Sequence, residues 1–383
     1  MIPGPGAELL ALAARASALS AVVGIALLLL NIFPLLRRPR ARSKALPTDP
    51  VTMLVPLCGG EEGLYARLAA LCRQAYPGPT QLVFGASSPR DPAIAVVSQL
   101  SRDFPGACID VVIDGRSHGS NRKISNLVNM LERARHETLV FVDSDIVVGP
   151  GHLTQIVSEL RRPGVGAVTC LYYGVAGEGR WAARSSMSIN VQFLPSVILG
   201  VWLRIAEPCF GATIAISRRT LDRVGGLRVF GGCLYDDHAI GAAVRATGQR
   251  VAISSLAVGH VCLERSPREL LDTQLRRART IRMINPIGYA GSFVTYPSAL
   301  ALLATALGDL WGAPILAAAV ALRLAQCRSI ERAFSLPRHR YLEVLLRDGI
   351  AFGVYVAAFF GDQVVWRGSR YRASRSGALL ADS

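Results

Sequence analysis

Residues 138–146 read TLVFVDSDI, a run of β-branched, aromatic and aliphatic residues that closes on two carboxylates one residue apart. The run has the length and composition of a buried strand. In open α/β sheets ligands lie beyond the carboxyl ends of the strands, which places Asp143 and Asp145 at a binding crevice. Paired carboxylates there offer hard oxygen ligands to a divalent cation; the alternative is an acidic turn capping the next helix. Working outward, VTMLVPL (51–57), QLVFGA (81–86), IDVVID (109–114) and VGAVTCL (165–171) read as further strands, and helices are expected at about 61–74, 92–103 and 122–134. Such alternation predicts an α/β domain with a parallel sheet wrapped by helices.

Around this middle the composition is that of a membrane protein. Of 383 residues 51% are hydrophobic and only 18% charged, too apolar for an ordinary soluble enzyme. Residues 16–36 carry no charge over 21 positions, about 31 Å of helix at 1.5 Å per residue, which matches the hydrocarbon thickness. RRPRARSK (37–44) follows with five positive residues and no acidic one, placing residue 37 onward in the cytoplasm. Met283–Gly308 is a second uncharged run long enough to cross, whereas 310–322 and 349–361 suit short or re-entrant pieces. The run 185–203 passes the length test too, but Ser186, Ser188, Asn190, Gln192 and Pro195 interrupt it. We read it as an interfacial helix.

The expected organisation is an anchor over 1–36 and a cytoplasmic catalytic domain over 37–282, with interfacial helices near 186–205 and 266–284. Membrane segments over 283–366, one long span and two short or re-entrant, and a basic tail over 367–383 complete it. The net charge of +15 gathers beside apolar runs, which argues for a bilayer and against nucleic acid as the partner. Eight scattered cysteines form no CxxC pair or zinc-ligand spacing and read as small buried residues of a reducing compartment. Dinucleotide-binding and P-loop glycine motifs are absent from the sequence.

Further candidate residues cluster just past the strands. Asp91 follows the strand ending at Ala86, where a nucleoside contact is needed. Gly119-Ser120-Asn121-Arg122-Lys123 precedes a helix and offers backbone donors, an amide and an ammonium to a phosphate or base; a plain N-cap and a solvated lysine are the alternative. Tyr235-Asp236-Asp237-His238 opens another helix, where acids are stabilising in any case.

PLCG (56–59), NRKISNLVNML (121–131), VDSDI (142–146), FGATIAISRRTLDRVGG (210–226) and DDHAIGAAVR (236–245) resemble the ceramide glucosyltransferase-like family of inverting glycosyltransferases. Within it the chain most resembles the bacterial hopanoid-biosynthesis-associated members, from about residue 16 to the Trp366-Arg367-Gly368 tail. The resemblance implies a GT-A (Rossmann-like) fold with N- and C-terminal transmembrane helices, a UDP-sugar donor, a divalent metal (Mg²⁺ or Mn²⁺) and a lipid hydroxyl acceptor. It further implies a multi-pass protein of the bacterial inner membrane with its catalytic domain facing the cytoplasm. By position it assigns Asp91 to the nucleotide, Asp143 and Asp145 to the nucleotide-sugar and metal, and Asp237 to the general base, with Asp236 the alternative for that catalytic role. The closing Q/R-x-x-R-W motif falls on Thr273 to Arg277. Arg276 is kept there to stabilise the leaving UDP; Thr273 and Arg277 depart from the pattern, as does Val55, where relatives commonly carry lysine.

The implied acceptor is a bacteriohopanepolyol receiving N-acetylglucosamine, or alternatively ceramide receiving glucose. A polysaccharide synthase would need more spanning helices. A catalytically weakened lipid-binding protein is the reading from outside the enzyme class.

Overall fold

A computed structural model describes residues 5–36, 46–361, 363–366, 369–373 and 379–381. RRPRARSK and most of the basic tail therefore lie outside the described residues. In chain order the main elements are α1 (Pro5–Leu36), β1 (Val51–Pro56), α2 (Leu64–Cys72), β2 (Thr80–Ala86), α3 (Ala93–Asp103), β3 (Cys108–Ile113), α4 (Arg122–Leu131), β4 (Thr138–Val142), β5 (Ile146–Val147), α5 (His152–Leu160) and β6 (Val165–Ala176). There follow α6 (Arg180–Ser188), α7 (Leu194–Trp202), β7 (Thr213–Ser217), α8 (Arg218–Arg223), α9 (Asp236–Ala246), β8 (Arg250–Cys262), α10 (Pro267–Ile284), α11 (Pro286–Gly291), α12 (Pro297–Ala306), α13 (Gly312–Ala333) and α14 (Tyr341–Ala357). They group into two compact units. One comprises Met1–Arg38, Gly179–Ala206 and Glu264–Arg370, the other Pro39–Glu178, Glu207–Leu263 and Tyr371–Ser383.

The second unit is built on an eight-stranded sheet of order β3-β2-β1-β4-β7-β6-β8-β5. β1 pairs in parallel with β2 and with β4, and β2 with β3. The strands expected from the sequence form, but the sheet is mixed: β7 runs antiparallel to both β4 and β6. The expectation of a parallel sheet is corrected there, because strand composition reports burial and not the direction of a partner. Central strands are apolar on both faces for a simple reason. Met53 and Val55 pack with Leu68, Phe84, Val97 and Ile156 on one side, while Leu54 packs with Val83, Ile124, Leu127, Phe141 and Val244 on the other. Chain order moves outward from β1 to β3 and then returns to β4 on the far side of β1. That switch point opens a crevice at the carboxyl ends of β1 and β4.

The first unit is helical. α1 and α13 are each long and apolar enough to cross a membrane. Small and polar residues dock α1: the Ser17 hydroxyl donates to Leu300 O at 2.8 Å, the Asn31 amide donates to Pro195 O at 2.7 Å, and a Cβ on Gly24 would stand 2.2 Å from Val294 O. The long uncharged run 283–308 does not form one helix. It breaks into Pro286–Thr295 and Pro297–Ala306, bent by 66°. Asn285 caps α11 through Gly288 N at 2.8 Å, and each helix opens with proline, which disfavours helical backbone in the preceding residue.

The run 310–322, expected to be short, instead belongs to the 22-residue α13. Arg323, which ends the uncharged count, is buried and paired with Asp348 of α14 at 2.9 Å, so its charge does not end the helix at a water interface. Of the run 349–361, residues 349–357 form the second half of α14, whose first half carries Glu343, Arg347 and Asp348. Between α6 and α7 the backbone forms a π-helical stretch, Ile189–Phe193. Pro195 supplies no N–H to the preceding turn, a local cause of such a bulge.

Candidate active site

Asp143 directly follows β4, and Asp145 sits in the turn between β4 and β5. Arg67, buried on α2, clamps this turn: its Nε donates to Ser144 O at 2.7 Å while its guanidinium pairs with Glu61 at 3.1 Å. Asp91 stands past β2. Its carboxylate accepts from Gly59 N at 3.0 and 3.1 Å and from Ala93 N at 2.9 Å, joining the loop after β1 to the start of α3.

Two loops carry the remaining polar groups. Asn121 caps α4, accepting from Ile124 N at 3.1 Å, and its amide donates to Cys233 O at 2.9 Å and to Asp236 Oδ1 at 3.2 Å. The N-cap reading of Asn121 is thus correct, and the same side chain also reaches the start of α9. Backbone contact makes this possible. Asn121 N donates to Gly231 O at 2.7 Å, and a Cβ on Gly119 would lie 2.3 Å from that oxygen. Gly119 has φ +131° as well, a backbone conformation costly for other residues.

Lys123 is no solvated lysine. Its Nζ lies 2.6 Å from Asp143 Oδ1 and 3.9 Å from Asp236 Oδ2. Asp237 accepts from Gly211 N at 2.9 Å and from His238 N at 2.7 Å, which aims its carboxylate toward the loop before β7. A Cβ on Gly211 would fall 3.1 Å from Lys123 Nζ and 3.5 Å from Asp237 Oδ2, so a larger residue there would crowd the ammonium. Asn121, Lys123, Asp143, Asp236 and Asp237 are therefore one constellation. Arg276, Arg277 and Thr273 lie on α10 of the helical unit.

Burial raises Asp143, with Lys123 opposing and Asp145 adding to the rise. Asp236 and Asp237 are raised as well, each chiefly by burial and each drawn back by Lys123. Burial alone would lower Lys123, but Asp143, Asp236 and Asp237 outweigh it and the ammonium is held above its usual range. Three carboxylates, Asp143, Asp236 and Asp237, surround one ammonium, with Asp145 acting on Asp143, and carboxylate oxygens suit a hard divalent cation.

His260 on β8 was not anticipated. Its Nδ1 stands 3.5 Å from Asp145 Oδ1, and its backbone lies opposite Ile146 in the β5–β8 pairing. The histidine adds an imidazole to the donor set. No local motif marks it, because only the sheet register brings it beside Asp145. Arg67 was missed for the same kind of reason.

Among solved structures, the chain is similar to a mannosyltransferase from Pyrobaculum calidifontis in complex with GDP-Man and Mn²⁺, with a TM-score of 0.54 and 20% identity, over 92% of this chain and 99% of that one. The fold is the GT-A fold of nucleotide-sugar glycosyltransferases. The sequence pattern of glycosyl transferase family 21 matches residues 16–379, and the chain belongs to that family of glycosyltransferases. Curated relatives include ceramide glucosyltransferase 1 of Caenorhabditis elegans, 26% identical over 211 residues, or 55% of this chain and 45% of that protein. The ceramide glucosyltransferase of Komagataella phaffii is 29% identical over 132 residues, 32% of this chain and 25% of that one. The chain thus spans less than half the length of either relative.

Proposed function

We propose that this glycosyltransferase moves a sugar from a UDP-sugar to the hydroxyl of a membrane lipid with inversion at the anomeric carbon. The observation that carries the reading is the placement of Asp237, held by two backbone N–H groups, beside the Lys123–Asp143 pair. Asp237 takes the proton of the acceptor hydroxyl as its oxygen bonds to the anomeric carbon. The bond from that carbon to the diphosphate oxygen breaks, and its electron pair leaves with UDP. A raised pKa makes Asp237 a stronger base than an ordinary aspartate.

Asp143, Asp145 and His260 are the residues that would hold Mg²⁺ or Mn²⁺, and such an ion supplies charge neutralisation to the departing diphosphate. Lys123 keeps Asp143 ionised and oriented, and Asp91 holds the loop after β1 for the nucleoside. Arg276 is assigned to the diphosphate and Arg277 to the acceptor side through the family motif.

A lipid acceptor is supported by the two helices long and apolar enough to cross a membrane. We take the acceptor to be a bacteriohopanepolyol and the sugar N-acetylglucosamine, at the cytoplasmic face of a bacterial inner membrane. The ceramide glucosyltransferase relatives favour a second reading, glucose onto ceramide. Mass spectrometry of lipids from cells with and without the gene tests both. A hexosamine-bearing hopanoid lost with the gene supports the first reading and a lost hexosylceramide the second. An unchanged glycolipid profile, together with no lipid-dependent release of UDP by the purified protein, would leave a lipid-binding protein.

A further inference from the structure

We propose that Cys327, Glu331 and His339 form a zinc site in the helical unit. Cys327 and Glu331 are four residues apart on α13 and so share one face. Past the helix end, Ser335 adopts φ +53° and Leu336 N donates to Glu331 O at 2.9 Å, a Schellman-type reversal. This turn brings His339 back over Glu331.

The three potential ligand atoms form a compact triangle. Cys327 Sγ lies 3.7 Å from Glu331 Oε1 and 3.8 Å from His339 Nδ1, and Oε1 lies 3.1 Å from Nδ1. For zinc bonds of about 2.3 Å to sulfur and about 2.0–2.1 Å to nitrogen and oxygen, a tetrahedral angle gives edges of about 3.5 Å to sulfur and about 3.3 Å between oxygen and nitrogen. The triangle matches one face of that tetrahedron to within a few tenths of an ångström. A fourth position remains for water.

The surroundings are those of a supported metal site. Glu331 Oε2 is held by Arg328 at 3.0 Å and by the Tyr341 hydroxyl at 3.3 Å, leaving Oε1 toward the triangle. Oε1 accepts from His339 N at 2.8 Å and keeps a second lone pair for a cation. The Asn190 amide stands 3.4 Å from His339 Nε2. The contacting atom is the amide nitrogen; with Nδ1 on zinc the amide would turn over so that its oxygen accepts from Nε2–H, the outer partner a ligating histidine requires. Cys327 and Glu331 are buried, and a thiolate with a carboxylate balances the charge of Zn²⁺. Zinc there would fasten the end of α13 and the loop before α14 to the π-helical stretch that carries Asn190.

The test uses full-length detergent-purified protein carrying Asp143→Asn and Asp145→Asn, so that cation binding at those acids does not intrude. Elemental analysis after zinc loading and desalting should return about one equivalent of zinc. Cobalt loading should give a thiolate-to-metal charge-transfer band that Cys327→Ser abolishes. His339→Gln, at a less buried position, should also remove the bound zinc and serves if the Cys327→Ser protein does not fold. No retained zinc, or a cobalt spectrum without a thiolate band, would overturn the site and leave a hydrogen-bonded trio. So would a band or zinc content unchanged in folded Cys327→Ser and His339→Gln proteins.

Discussion

Lys123 Nζ lies 2.6 Å from Asp143 Oδ1 although the two residues are carried by separate elements, the start of α4 and the end of β4. The same ammonium is 3.9 Å from Asp236 Oδ2 at the start of α9. One cation therefore ties together the three segments that form the acidic cluster.

Removing that charge leaves partly buried carboxylates facing one another. Lys123→Met is expected to destabilise the protein by about 1–3 kcal/mol, less than for a fully buried pair because both side chains keep some solvent contact. Thermal unfolding at neutral pH measures it. The loss should shrink when Mn²⁺ is added, and a variant as stable as the parent without added cation would make the contact incidental.

Stability should depend on pH and cation together. Asp143, Asp236 and Asp237 have folded pKa values raised above their unfolded ones. Protonation of these groups hence stabilises the fold fully below the unfolded value of about 4, and that contribution is lost as pH rises through the raised values. Lys123, also raised, stays charged across this window. A divalent cation competes with the protons, so the gain in Tm from Mg²⁺ or Mn²⁺ should be larger at about pH 7.5 than at about pH 5. Equal gains at both values would place the cation elsewhere.

Two arginines of α10 hold the chain just past α14. Arg279 donates to Phe360 O at 2.9 Å and also to Gln363 O, while Arg282 donates to Phe359 O at 3.2 Å and Gly361 O at 3.0 Å. Arg282→Ala should strip two charge-assisted bonds and lower stability in detergent by about 1–3 kcal/mol, with faster limited proteolysis after α14. Unchanged proteolysis would show these carbonyls to be held by other groups.

The orientation proposed for the sheet unit has a direct chemical probe. Cys58 and Cys108 are exposed, so an impermeant thiol reagent should label them in inside-out vesicles and spare them in intact spheroplasts. Labelling of either cysteine in intact spheroplasts contradicts a cytoplasmic catalytic domain.

Much of the site is legible in the sequence because its residues sit where local patterns change. TLVFV ends at Asp143, the helix of α4 begins after Asn121, and YDDH opens α9, so each boundary flags its polar residue. What escapes is set by pairing across the chain. The antiparallel direction of β7, the placement of His260 and the clamp of Arg67 on Ser144 depend on partners far away in sequence. The membrane segments show the same division. Counting uncharged residues stops at Arg323, whose partner Asp348 lies on α14, and runs through Pro286 and Pro297, where the helix breaks.

The paired variants Asp237→Asn and Asp236→Asn, compared in one lipid-glycosylation assay, test Asp237 as the proposed base. Asparagine keeps the size and most hydrogen bonding of Asp237 but takes no proton. Transfer should fall by roughly 10²–10⁴-fold with donor affinity little changed, and Asp236→Asn should be milder, since Asp236 is engaged by Asn121. Near-normal transfer by folded Asp237→Asn protein would contradict the account, and loss confined to Asp236→Asn would move the base to that residue.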